Sequence, residues 1–452
     1  MRFAQHCWCC IVATVLVSSV ALAQPKKSTP NITTPAPTPI DTLLLPTLLR
    51  SEPHHFQHIL DSADKYRVQI LYTQINRAKN GKPLFTSYAY RLNDKAYFYP
   101  ASTVKFPAAV LTLEKLNVLS YYLNKPVTKD LYIRIDSHQV WQTPVLRDVT
   151  AKDSLASLEH FIKKVFLVSD NDGYNRLYEF LGQDYLNQRF RFKGFKNTKI
   201  TQRLSYPATP EQNKVTNTLF LYGKDGTIVY YQPSTTATGR YDDVLAGVSD
   251  VKQGKGYYQN DSLVLQPKDF TPSNFFPLTE QQELLKRIMF PDSYPIEQQF
   301  GLQPADYEFL WRYMGMLPRE SDYPRYDTTE YWDSYVKFFM FGDSKKRIPP
   351  HIRIFNKVGD AYGYVLDNAY IVDFERGVEF LLSAVIYCNN DEIFNDNTYE
   401  LDEIGFPFMA RLGNLIYNYE CQRKRAVKPD LRRYQVLFEP QVPKQRPSKK
   451  TR

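Results

Sequence analysis

The stretch Tyr99-Pro100-Ala101-Ser102-Thr103-Val104-Lys105-Phe106-Pro107 decides the fold, because here the chain leaves an extended run and enters an apolar helix with a serine at the turn. Val104, Ala108, Leu111, Leu116 and Val118 mark that helix. Ser102 and Lys105 are three residues apart, so on a helix their side chains lie one above the other and the amine can reach the hydroxyl. The positive end of the helix favours an oxyanion developing at the serine's acyl partner. A lysine that takes a proton must itself be neutral, so burial or a second cation is part of the expectation. The spacing S-x-x-K occurs four times, at Ser62–Lys65, Ser102–Lys105, Ser249–Lys252 and Ser334–Lys337. Only Ser102 stands at a junction between an extended run and a helix.

Working outward from this point, residues 52–64 read as a helix, and 66–75 and 84–91 as strands joined through the hairpin signal Asn80-Gly81. Residues 154–168 carry Leu155, Leu158, Phe161, Ile162, Val165 and Phe166 at helical spacing. Residues 352–357, 367–374 and 378–388 read as strands, with Glu375-Arg376-Gly377 as a turn, and 401–421 as a closing helix. The class is α+β, with strands at both ends and helices between. Residues 215–350 show the least pattern and read as an inserted lobe, whose helical stretch is 280–289. Its aromatics, among them Trp311, Tyr331, Trp332 and Phe338, are assigned to core in preference to a ligand platform.

Two further motifs follow Ser102 in order, Ser169-Asp170-Asn171 at the end of the second helix and Lys357-Val358-Gly359 on the first C-terminal strand. Taken singly, each is an ordinary turn or edge-strand sequence. Together they resemble the penicillin-recognising serine hydrolases, above all class A β-lactamases and DD-peptidases, whose set is S-x-x-K, S-D-N and K-T-G. The resemblance covers residues 47–421. It implies an antiparallel five-stranded sheet flanked by helices, plus a helical lobe, here with a large insertion. It also implies Ser102 as acylated nucleophile, Lys105 as its base, Ser169 as proton shuttle to the leaving group and Lys357 as second cation. Asn171, with Val358 and Gly359, would bind substrate. The oxyanion hole would be the backbone N–H groups of Ser102 and Asp360.

The departures carry information too. Val358 stands where the family usually has a hydroxyl residue, and it cannot hydrogen-bond a substrate carboxylate; Asp360 adds a negative charge beside it. Both count against carboxylate-bearing β-lactams. No E-x-x-L-N lies between Asn171 and Lys357, leaving Glu211 as the candidate base for deacylation. Ser169 and Lys357 are 188 residues apart, against roughly 100 in compact enzymes, which is the room the insertion takes.

The chain has 452 residues, 43% hydrophobic and 23% charged, enough for a large folded domain and too polar for a polytopic membrane protein. Its net charge of +9 is the excess of the last 31 residues, 422–452, where eleven Lys/Arg face only Asp430 and Glu439. The body is neutral, which excludes a basic nucleic-acid-binding surface as a reading of the whole chain. Residues 422–452 read as a basic, disordered tail able to hold anionic envelope polymers. Residues 1–23 read as a signal peptide with an apolar run from Ile11 and an Ala21-Leu22-Ala23 cleavage site, so the expectation is an exported protein, periplasmic or secreted, whose mature chain has no transmembrane segment. Residues 24–46 are a Pro/Thr-rich linker. Cys7, Cys9 and Cys10 leave with the signal, and Cys388 and Cys421 read as free thiols, although an exported chain would permit pairing. His54 and His58 have helical spacing but lack a third ligand, so no metal and no cofactor is expected. Two function classes follow: an acyl-serine hydrolase acting on an amide or ester, or an inactive relative that binds peptidoglycan-like ligands in the same cleft.

Overall fold

In a computed structural model of the chain, residues 40–439 are described. The signal-peptide reading, most of the linker reading and the last residues of the tail lie outside them. Asp41 lies beside Tyr88 in an isolated bridge, and α1 (Leu44–Arg50) already belongs to the folded body, with Leu45 and Leu49 buried. Helix α2 (Pro53–Asp61) follows. Strands β1 (Gln69–Arg77) and β2 (Pro83–Tyr90) form the expected hairpin, Arg77 opposite Pro83, and Gly81 takes a positive φ of 81° in the connection.

The chain then enters α3 (Lys105–Tyr122) through one 3₁₀ turn, Ala101–Val104. Strand β3 (Tyr132–Asp136) and helices α4 (Leu158–Leu167), α5 (Asn171–Leu181), α6 (Gln183–Phe192) and the short α7 (Pro210–Asn213) follow. Strand β4 (Thr218–Tyr222) pairs with β3 on one side and with β5 (Ile228–Gln232) on the other in a three-stranded antiparallel sheet. Four short strands come next, β6 (Lys252–Gln253), β7 (Gly256–Gln259), β8 (Ser262–Val264) and β9 (Lys268–Asp269), before α8 (Leu278–Met289) and α9 (Pro304–Gly315).

Strands β10 (Ile352–Ala361), β11 (Tyr364–Asp373) and β12 (Val378–Tyr387) complete the main sheet, and β13 (Ile393–Phe394) pairs with β7. Helix α10 (Phe406–Gln422) and the short α11 (Arg432–Gln435) close the chain. The main sheet has the order β10-β11-β12-β1-β2, with every pairing antiparallel. This is the α+β, five-stranded arrangement expected. Every residue of β11 and β12 is buried, because helices cover both faces. One face is met by α8, whose Gln282 amide donates to the Leu71 carbonyl and the Ser383 hydroxyl, both at 2.9 Å. The other is met by α1, α2 and α10 through Phe56, Leu412 and Ile416. Consequently β10 lies at the edge, with one side against the 3₁₀ turn that carries Ser102.

Residues 215–350 hold β4 and β5, which extend the sheet begun by β3, and α8, which supports the main sheet. One expectation is corrected. The tail reading fails over its described part, because Leu431, Tyr434 and Leu437 are buried. The Tyr434 hydroxyl donates to the Met289 carbonyl at 2.6 Å, and its ring meets Trp311, Phe355 and Tyr370. The sequence's Pro and cation content masked these three apolar residues. Arg423 and Arg425 are spent on Glu420. No helix among the described residues is long and apolar enough to cross a membrane.

Candidate active site

The chain reverses twice into left-handed backbone beside the reactive groups, at Ala101 (φ 47°) and at Ser169 (φ 58°). Non-glycine residues in this region cost energy that the surrounding packing must offset, and such strain gathers at functional sites. Ala101 aims the start of the 3₁₀ turn so that Ser102 faces a cleft. Ser169 joins α4 to α5, and Asp170 fixes that corner by accepting from the Gly173 N–H at 2.6 Å as the cap of α5. Strand β10 slides in flush against the turn. A Cβ at Gly359 would lie 2.9 Å from the Pro100 carbonyl oxygen and 3.0 Å from the Ser102 nitrogen, so only glycine allows this approach.

Within this frame Lys105, at the first turn of α3, is fully buried. Its amine donates to Asn171 Oδ1 at 2.7 Å, to Ser169 Oγ at 3.3 Å and to the Ser169 carbonyl. Lys357, on β10, donates to the same Ser169 hydroxyl at 2.7 Å and to the Val358 carbonyl at 3.0 Å. Burial pulls the Lys105 amine down to about 7, while Asp170 and Asp360 act in the opposite sense. Lys357 is held well below the ordinary lysine range by burial first and by the Lys105 charge second. Burial therefore disfavours charge on both lysines, and the Lys105 charge adds to that on Lys357.

The expected contact between Lys105 and Ser102 takes a different form. The amine is turned to Ser169 and Asn171, and none of its hydrogen bonds is to Ser102. A neutral amine has two N–H groups and one lone pair. The amine faces three oxygens, Asn171 Oδ1, Ser169 Oγ and the Ser169 carbonyl, so in the neutral form one of them loses its N–H partner. Asn171 is itself oriented by donating to Ser205 Oγ at 2.9 Å.

Ser102, Ser169, Asn171, Val358 and Asp360 line one cleft of about 900 Å³. Glu211 does not. It sits exposed on α7, ion-paired to Lys214 at 3.0 Å, and lines a separate cavity with Lys199 and Asp242. Its assignment as deacylation base is corrected: four residues of helix with a capping box turn it outward. Val358 is buried, its side chain among the apolar residues between β10 and α10. His54 and His58 are exposed on α2. Cys388 is buried and Cys421 half-buried, and neither is bonded to the other.

The sequence reading missed the opposite wall of the cleft. Trp332, Tyr335, Phe338 and Lys345 form it together with Asp402, Phe406 and Arg411 from the start of α10 and the turn before it. Trp332 and Tyr335 are half-buried, and the Lys345 ammonium lies 4.1 Å from the centre of the Trp332 ring. The only available signal was the aromatic density of Tyr331-Trp332-Asp333-Ser334-Tyr335, which was assigned to core. That assignment holds for Trp311, buried with its N–H on the Ile288 carbonyl at 2.9 Å.

Residues 55–226, which include Ser102, Lys105, Ser169 and Asn171, match the model of the β-lactamase enzyme family. Over this stretch the chain is similar to that family. Similar solved structures include a class A β-lactamase representative from Bacteroides cellulosilyticus, at 12% identity over 82% of this chain and 96% of that one, TM-score 0.43. A β-lactamase from Xanthomonas campestris gives 12% identity over 83% and 97%, TM-score 0.43. A class A β-lactamase from Mycobacterium abscessus gives 13% over 83% and 98%, TM-score 0.41. No curated protein matches the chain. Lys357 and Val358 lie beyond the matched residues, and their place in the site rests on the geometry given above.

Proposed function

We propose that the protein is an exported acyl-serine hydrolase of the β-lactamase/DD-peptidase type that cleaves an amide or ester bond and turns over penicillins poorly. The observation that carries this reading is the convergence of Lys105 and Lys357 on the Ser169 hydroxyl beside Ser102. Ser102 attacks the carbonyl while neutral Lys105 takes its proton, and Ser169 passes a proton to the leaving group. The N–H groups of Ser102 and Asp360 receive the oxyanion, a role supported by the close approach of Gly359 to the Ser102 nitrogen. Substrate selection follows from Val358 and Asp360. The first offers no hydrogen bond, the second repels a carboxylate, and uncharged acyl donors are favoured over penicillins.

Export is supported by the Ala21-Leu22-Ala23 pattern, and a small-molecule or peptidoglycan-like substrate fits an envelope location. Loose attachment to anionic polymers would fall to the last cations, Lys444, Arg446, Lys449, Lys450 and Arg452. The deciding experiment is intact-protein mass spectrometry after exposure to a penicillin and to a phosphonate. A phosphonate adduct on Ser102 with a slow or persistent penicilloyl adduct supports the enzyme. No adduct with either points to the other class, a cleft that only binds peptidoglycan-like ligands. Fast penicillin hydrolysis, about 10 per second or more, overturns the substrate reading.

A further inference from the structure

An acyl-serine is released only when some group activates water, and with Glu211 facing another cavity that group must be sought inside the cleft. Three carboxylates line it: Asp343, Asp360 and Asp402. Asp170, the remaining acid near Ser169, is occupied by the Gly173 N–H and lies 3.6 Å from Lys164. Among the three, Asp360 is the one on β10, the strand that also carries Lys357, and its charge bears on both Lys105 and Lys357. It follows Gly359, whose backbone touches the Ser102 turn. Its carboxylate is open to solvent in the cleft, and no lysine is bonded to it, because Lys105 and Lys357 spend their donors on Ser169, Asn171 and Val358. Tyr335 faces it across the cleft.

We propose that Asp360 is the general base that activates water to release the acyl group from Ser102. The assignment rests on the acyl-serine reading given above. In the step, the Asp360 carboxylate takes one proton from water while the water oxygen bonds to the acyl carbon. The tetrahedral oxyanion collapses, the bond from the acyl carbon to Ser102 Oγ breaks, and the proton held by Asp360 is returned to that oxygen. Water and ester thus become acid and alcohol with no net change of protons. Its neighbours along the cleft raise the Asp360 carboxyl above the usual carboxylate range, against the pull of Lys357 and Lys105.

The same placement separates two substrate classes. A simple ester loses its alcohol on acylation, which leaves the cleft before Asp360 free for water. A penicillin keeps its amine and carboxylate tethered to the acyl group, and these stay in the cleft.

The test uses the full chain and p-nitrophenyl acetate, following the acetyl adduct on Ser102 by mass spectrometry and the burst and steady-state phases by absorbance. With Asp360→Asn the burst is expected within a few-fold of wild type, while release slows by ~100-fold or more and the adduct accumulates. Asp360→Glu is expected to restore part of the release rate. Release from Asp360→Asn at the wild-type rate overturns the assignment. So does an equal loss in both phases, which marks a role in placing β10. A wild-type adduct that never turns over also overturns it. Absence of any adduct on wild-type Ser102 is a different failure, and removes the acyl-serine reading together with Asp360.

Discussion

Two S-x-x-K sequences, Ser102–Lys105 and Ser334–Lys337, bring a serine to the same cleft with a buried lysine each, and they differ in what those groups bond to. Ser334 lines the cleft as Ser102 does, and burial lowers the Lys337 amine as it lowers Lys105. The difference lies in the partners. The Ser334 hydroxyl donates to the Ser344 carbonyl, so its proton is committed. Lys337 donates to the Met314 carbonyl and to Asn356 Oδ1, both at 2.6 Å, within reach of the Asp367 charge. Lys105 instead shares a hydroxyl with a second lysine, and Ser102 has no such commitment. Spacing and burial are common to the two, so what makes a base is which groups take its donors and whether its serine is free.

The sharpest way to break this comparison is to remove each serine. Ser102→Ala is expected to abolish labelling by a fluorophosphonate probe, whereas Ser334→Ala, Ser62→Ala and Ser249→Ala keep it. Labelling that survives in Ser102→Ala would sink the distinction. Next comes the base: Lys105→Ala should slow acylation by ~100-fold or more, read from the burst phase with an ester. Lys337→Met should leave Ser102 labelled but cost about 3 kcal/mol in urea unfolding, because Asp367 loses its buried cation. Lys105→Met, in contrast, should not lower stability, since a buried lysine lacking a carboxylate contact costs more than a methionine.

A change of pH tests the two lysines together. Acylation should rise tenfold per unit below about 7 and level off above it, as Lys105 loses its proton. Stability has a sign of its own. Lys105 and Lys115 are both pulled down to about 7 from an ordinary 10.5. Between these values the unfolded chain binds protons that the folded chain has shed, so stability should increase from pH 7 toward 10. A thermal midpoint that falls across that window would contradict the burial of these amines. The smallest effect belongs to Glu211→Gln, which breaks only an exposed pair with Lys214; turnover should stay within about twofold and stability within about 1 kcal/mol.

The main sheet and the reactive turn were legible because they obey local rules. Alternation and apolar runs marked β1, β2 and β10–β12, and Ser102, Ser169 and Lys357 sit at element ends that the periodicity located. The far wall was not legible because its order comes from distant partners. Residues 338 and 339 are held by their N–H groups on Asp367 at 3.1 and 3.2 Å, and Asp367 lies on β11. No spacing within 332–345 encodes that anchor. Glu211 failed for the opposite reason: the sequence placed it at a plausible distance along the chain, while direction in space was set by the turn that caps α7. The buried part of the tail was hidden by composition, where three apolar residues outweigh many cations once they find a partner surface.

That last packing has a consequence for how the sheet is held. Phe355 of β10 and Tyr370 of β11 rest on Tyr434. A chain truncated after α10 keeps every candidate site side chain but lacks the brace behind the strand of Lys357. Such a fragment should open locally more often and fall to proteases sooner than the full chain, so residues 431–437 act as a clasp on the strand from its far side.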